Sequence, residues 1–177
     1  MTPVVVGVDL SLTSTGYSTG HTTEQISKPK WVHELPAELD RLRWMRNEVA
    51  LRVTRDRPDL VVVEVPAYSS TSGHATARGG LFWMLLDQLA GCELPVAPVI
   101  TTCLKKYATG KGTAGKDDVI REVKGRFPWF AGKNDEADAL VLAAMGYDHL
   151  GEPLVKMPAT HRAALDKVAW PDLAGAR

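Results

Sequence analysis

Two short runs of β-branched residues decide the architecture. Val4 to Asp9, VVVGVD, and Leu60 to Glu64, LVVVE, are apolar without alternation. A strand with one wet face alternates apolar and polar side chains, whereas a run that does not alternate has both faces covered. Both runs therefore predict central strands of a sheet sandwiched between helices. Each also ends in a carboxylate, and ligand sites of open α/β sheets lie beyond the carboxyl ends of the strands.

The other segments supply the covering layers. GYSTG to about EQISKP reads as two further strands with turns at Gly16 and Gly20. From Ala37 to Arg55, Leu39, Leu42, Met45, Val49 and Val53 recur at helical spacing, and Pro58 follows. Ala75 to Ala90 predicts a helix with an inward stripe of Leu81, Met84, Leu85 and Leu89. PVAPVI predicts a short strand, with Thr101 or Thr102 capping the helical turn after it. Lys116 to Gly125 and Asn134 to His149 read as helices, the latter seated by Ala137, Leu140, Val141 and Ala144. This order predicts an α/β domain with a mixed sheet over residues 1–150 and a C-terminal surface extension over 151–177.

At 177 residues the chain is long enough for one self-sufficient core. No apolar run has the length of a membrane span, and MTPVVVGVD lacks the features of a signal peptide, so the expected location is the cytoplasm. Cys92 and Cys103 have no zinc-type spacing and read as buried reduced thiols.

Gly110 to Asp117, GKGTAGKD, nearly spells a nucleotide-triphosphate loop, but Asp117 stands where a Ser or Thr hydroxyl is needed and no buried strand precedes it. Nucleotide triphosphate binding is not expected. Net charge is zero, yet residues 103–133 carry eight basic side chains against three acids, leaving the remainder at −5. Such a stripe fits a local anionic contact and equally a solvated helix face.

Asp9 and Glu64 end the two buried strands, and Asp135 and Asp138 share one face at the start of a helix. Each has an ordinary explanation: first-turn acids complement the helix dipole, Asp9 suits an Asx turn, and Glu64 could bond a loop amide. Together, with no His or Cys beside them, they form the oxygen-rich set that Mg²⁺ or Mn²⁺ prefers. Two cations there would suit in-line phosphodiester hydrolysis, with the basic loop Lys105 to Lys116 holding the phosphate backbone or the developing charge.

Four ordered blocks resemble the RuvC-type Holliday-junction resolvases of the ribonuclease H-like superfamily: GVDLSLTSTGY, VVVEVP, LKKYATGKGTAGK and DEADAL. The resemblance runs from Val4 to about His149 and implies a mixed five-stranded sheet flanked by helices. It puts catalytic carboxylates on Asp9, Glu64, Asp135 and Asp138, and functional lysines on Lys105 and Lys116. It implies a homodimer that nicks four-way DNA junctions symmetrically, with two Mg²⁺ or Mn²⁺ ions per site. Lys106, Lys111, Tyr68 and Arg78 are further DNA-binding candidates. Bacterial members carry an aromatic where this chain has Ala67 followed by Tyr68, which fits a phage-encoded branch with relaxed choice of branched DNA. The alternatives are a nuclease of the same fold acting on forked DNA or RNA·DNA hybrids, and a non-catalytic junction-binding module.

Overall fold

The computed structural model describes residues 2–28, 35–66 and 74–173, the side chains of 35 and 36 excepted. Five strands, β1 (Val5–Asp9), β2 (Ser14–Ser18), β3 (Thr23–Ser27), β4 (Leu60–Val65) and β5 (Val96–Ile100), form one sheet in the order β3-β2-β1-β4-β5. The three N-terminal strands are an antiparallel meander, while β4 and β5 run parallel to β1. The sheet is mixed, as expected. Pro98 is tolerated in β5 because that strand is an edge.

The unalternating runs are central and buried on both faces. Val6, Val8, Val61 and Val63 join the core under α1 (Leu35–Asp56) and α2 (Ala75–Ala90), with Met45, Val49, Leu81 and Leu85. Val5, Leu60 and Val62 face the opposite core, with Leu104 of α3 (Thr101–Thr109), Val119 of α4 (Lys116–Arg126) and Leu140 of α5 (Asn134–His149). In α1 the inward stripe starts at Leu42, since Leu39 is 44% exposed. Phe82 joins the α2 stripe, and Met84 is only partly buried.

α5 is covered almost all round, with every residue from Ala139 to Asp148 buried. α3 and α4 also pack on it, and the helical pieces of the segment from Gly151, read from sequence as a surface extension, pack on α3. That segment forms α6 (Ala159–Arg162) and a 3₁₀ turn at Leu165–Lys167, and it sends Met157, Ala164 and Leu165 into the core. Polar ties reinforce the packing. Buried Asp148 accepts from the Tyr107 hydroxyl at 3.0 Å and from Arg162 Nε at 3.0 Å, and His161 Nδ1 lies 2.8 Å from the Tyr107 carbonyl. Trp170 stacks on His149 with ring centroids 4.0 Å apart.

Both cysteines are free, but only Cys103 is buried; Cys92 is exposed in the turn after α2. The capping expectations also change. α3 starts after Ile100, so neither Thr101 nor Thr102 caps it, and α5 starts after Lys133. Glu136 accepts the Lys133 amide at 3.0 Å. Among the described residues no helix is long and apolar enough to cross a membrane.

Candidate active site

β1 and β4 are parallel neighbours with Val8 opposite Val63, so the next residues, Asp9 and Glu64, leave the sheet side by side. Asp138 reaches them because α5 lies directly on the strands. A Cβ on Gly7 would come 2.1 Å from the Ala139 carbonyl oxygen, and one on Gly16 would come 1.9 Å from that of Asp135. Only glycine permits such contact between backbones. The result is a group of half-buried carboxylates, Asp9, Glu64 and Asp138, whose ligand oxygens lie within 4.8 Å of one another.

Burial, reinforced by neighbouring negative charge, raises two of the three, Asp9 and Asp138. Burial, then the Glu64 and Asp138 charges, hold the Asp9 carboxyl well above the usual carboxylate range. Burial and then Glu64 push Asp138 up to about 7, with Lys116 and Lys105 pulling the other way and Asp135 adding to the rise. Three acids held together in a partly dry site favour either a retained proton or a cation. Every donor is a carboxylate oxygen, the chemistry that hard divalent cations take.

The fourth predicted carboxylate stands apart. Asp135, one turn before Asp138, lies outside the group of three. Its Oδ2 accepts the Ser14 hydroxyl at 2.6 Å and, more distantly, Gln25 Nε2 at 3.4 Å. Glu64 likewise has a hydroxyl partner, since Thr101 Oγ1 donates to its Oε1 at 2.5 Å. Ser14, Gln25 and Thr101 were missed in the sequence, where each looks like an ordinary strand or turn residue.

Lys105 lies half-buried on α3 and Lys116 is exposed at the start of α4; both act electrostatically on Asp138. Lys106 is half-buried on α3, and Lys111 is exposed in the loop between the helices. That loop opens at Gly110, whose φ of 82° ends α3, and closes where Asp118 accepts the Gly115 amide at 3.1 Å. A helix therefore stands where a nucleotide loop would have its strand. Two other members of the basic stripe are tied to acids on α4, Arg121 to Asp118 at 2.7 Å and Arg126 to Glu122 at 2.9 Å. Arg78 sits half-buried in the first turn of α2. Ala67 and Tyr68 lie outside the described residues.

No family model matches the sequence. A stretch of 107 residues, 60% of the chain, is 31% identical to the crossover junction endodeoxyribonuclease RuvC of Anaeromyxobacter dehalogenans (strain 2CP-C) and spans 56% of that relative's length. Among solved structures, Thermus thermophilus RuvC superposes with a TM-score of 0.65 at 22% identity, over 88% of this chain and 99% of the other. The T. thermophilus RuvC in complex with Holliday junction substrate gives 0.66 at 20% identity, with the same coverage. The yeast mitochondrial Holliday junction resolvase Ydc2 gives 0.51 at 13% identity, over 93% of this chain and 81% of that one. Over that stretch the sequence is similar to RuvC, and the architecture of the chain is the fold of the RuvC structures, a mixed five-stranded sheet flanked by helices.

Proposed function

We propose that the chain is a divalent-metal-dependent endodeoxyribonuclease that resolves four-way DNA junctions. The observation that carries this reading is the meeting of Asp9, Glu64 and Asp138 within 4.8 Å at the carboxyl ends of β1 and β4. The fold shared with T. thermophilus RuvC and with the yeast mitochondrial Holliday junction resolvase Ydc2 supports the substrate class.

Asp9, Glu64 and Asp138 would hold the cation, with Asp135 extending the set toward a second. A bound divalent cation supplies positive charge against the charge developing on the phosphodiester and eases deprotonation of water. The remaining work falls to the chain's own residues. Lys116 and Lys105 face the carboxylates electrostatically and would hold the backbone on either side of the scissile phosphate. Lys106, Lys111, Arg78 and Tyr68 would extend the DNA contact, Tyr68 by stacking on a base near the branch. Two copies of the chain, each cutting one strand, would yield the paired symmetric nicks that separate a junction. Residues 1–150 would form the nuclease domain and 151–173 its C-terminal brace, and the enzyme would meet its DNA in the cytoplasm.

The test is cleavage of a synthetic mobile four-way junction beside linear duplex, forked DNA and RNA·DNA hybrid of matching sequence, with Mg²⁺, Mn²⁺ or chelator. Paired nicks on the junction, present with metal and abolished by chelator, are expected. Equal cutting of every substrate would replace resolvase by general nuclease, and tight binding without cutting would make the protein a junction-binding module.

A further inference from the structure

β2 and β3 turn a polar strip toward the first turn of α5. Tyr17 and Ile26 belong to the core under α1, so Ser14 and Gly16 of β2 face α5, as do Thr23 and Gln25 of β3. Gln25 pairs with Gly16, the residue on which the Asp135 backbone rests. A strip seated against a buried helix would ordinarily be apolar. Here its polar groups meet the acids of that helix. Thr23 Oγ1 donates to Glu136 Oε1 at 3.0 Å, and Ser14 Oγ donates to Asp135 Oδ2 at 2.6 Å.

The direction of the Ser14 bond is fixed by what lies behind it. Lys133 Nζ, which can only donate, is 3.4 Å from Gln25 Oε1, and this turns the amide nitrogen toward Ser14. Gln25 Nε2 then donates to Ser14 Oγ at 2.7 Å, occupying the hydroxyl as an acceptor. The serine proton is left for Asp135. The same amide nitrogen also lies 3.4 Å from Asp135 Oδ2, a longer contact shared with its bond to Ser14. Lys133, Gln25 and Ser14 thus form a chain of donors in one sense, each polarising the next toward the carboxylate.

We infer that Ser14 and Gln25 are positioning residues for Asp135, fixing its rotation so that Oδ1 is presented to the cation held by Asp9, Glu64 and Asp138. The inference rests on the metal-site reading of the preceding subsection. Both donors converge on Oδ2, so a carboxylate that lies apart from the other three has one oxygen committed and one available. Without them it would rotate, and each binding event would have to order it. Groups that orient metal-binding carboxylates in this way typically change affinity by ~10-fold or more when removed.

The experiment is titration of the DNA-free protein with Mn²⁺, followed by calorimetry and by electron paramagnetic resonance. Ser14→Ala, Gln25→Leu and Ser14→Thr are compared with wild type and with Asp9→Asn. Ser14→Ala and Gln25→Leu are expected to weaken Mn²⁺ binding by ~10-fold and alter its spectrum at an unchanged melting temperature, and Ser14→Thr is expected to restore both. Wild-type affinity in Ser14→Ala and Gln25→Leu, with binding lost in Asp9→Asn, would overturn the positioning role and leave the metal site standing. A lowered melting temperature that Ser14→Thr does not recover would reduce the pair to a structural contact. Absence of Mn²⁺ binding by wild type would overturn both readings.

Discussion

Thr101 donates its hydroxyl proton to Oε1 of Glu64 across 2.5 Å, tying the first residue of α3 to the carboxylate at the end of β4. The bond commits one oxygen of Glu64 and orients the other. Thr101→Val keeps the side-chain shape and removes the donor. Cleavage at limiting Mg²⁺ is expected to fall by about 10-fold and to recover partly as Mg²⁺ is raised, while Thr101→Ser stays near wild type. A Mg²⁺ titration of the cleavage rate checks this, and an unchanged curve for Thr101→Val would remove Thr101 from the site.

The protonation of the cluster predicts how stability responds to pH. Asp138 titrates near 7 in the folded chain, against an unfolded value of about 3.9. Between those values the folded state holds a proton that the unfolded state has released, so this contribution is present at low pH and lost as pH rises through about 7. Asp9 acts in the same direction. In chelator, Asp138→Asn should therefore gain stability relative to wild type as pH rises from about 4 to about 8. Mg²⁺ should narrow that gap by stabilising the ionised wild-type cluster. Thermal melts across pH, with and without Mg²⁺, read both effects.

At Gly16 the first turn of α5 rests directly on β2, and a methyl there would sit 1.9 Å from the Asp135 carbonyl oxygen. The contact is with backbone, so the first turn of α5 must lift. Gly16→Ala is expected to cost about 1–3 kcal/mol by denaturant unfolding. It should lower cleavage more than that loss of folded protein explains, because Asp135 and Asp138 move with the helix.

Asp148 is buried where the C-terminal segment docks on α5, and it accepts bonds from Tyr107 and Arg162. Tyr107→Phe removes the hydroxyl donor without opening a cavity, leaving the buried Oδ2 with one donor, Arg162 Nε at 3.1 Å, in place of two. A loss of about 1–2 kcal/mol in urea unfolding is expected, with little change in cation affinity. A neutral result would show that Arg162 alone satisfies Asp148.

Much of this was legible in the sequence because it depends on local pattern. Unalternating valines identify β1 and β4 as doubly covered strands, and their last residues then lie at one end of the sheet. The three-residue spacing of Asp135 and Asp138 places both on one helical face. What stayed hidden depends on register between distant segments. Ser14 meets a carboxylate 121 positions away, and only the pairing of β2 with β1, together with Gly16 under α5, puts it there. Thr101 has the composition of a helix cap, yet the closeness of β5 to β4 sends its hydroxyl to Glu64 instead. The segment after Gly151 looked superficial because prolines interrupt it. Its packing follows from the apolar cluster that α3 and α5 share, including Tyr107, Val141 and Ala144, which Met157, Ala164 and Leu165 join.

If Asp9, Glu64 and Asp138 act by holding a divalent cation rather than by shaping a DNA-binding surface, neutralising either aspartate separates cleavage from junction binding. Parallel binding and cleavage of one four-way junction by wild type, Asp9→Asn and Asp138→Asn in Mg²⁺ test it most directly. Both variants are expected to bind the junction with affinity within about 3-fold of wild type and to lose cleavage by more than about 100-fold. Cleavage by either variant at the wild-type rate, or loss of junction binding in step with loss of cleavage, would contradict it.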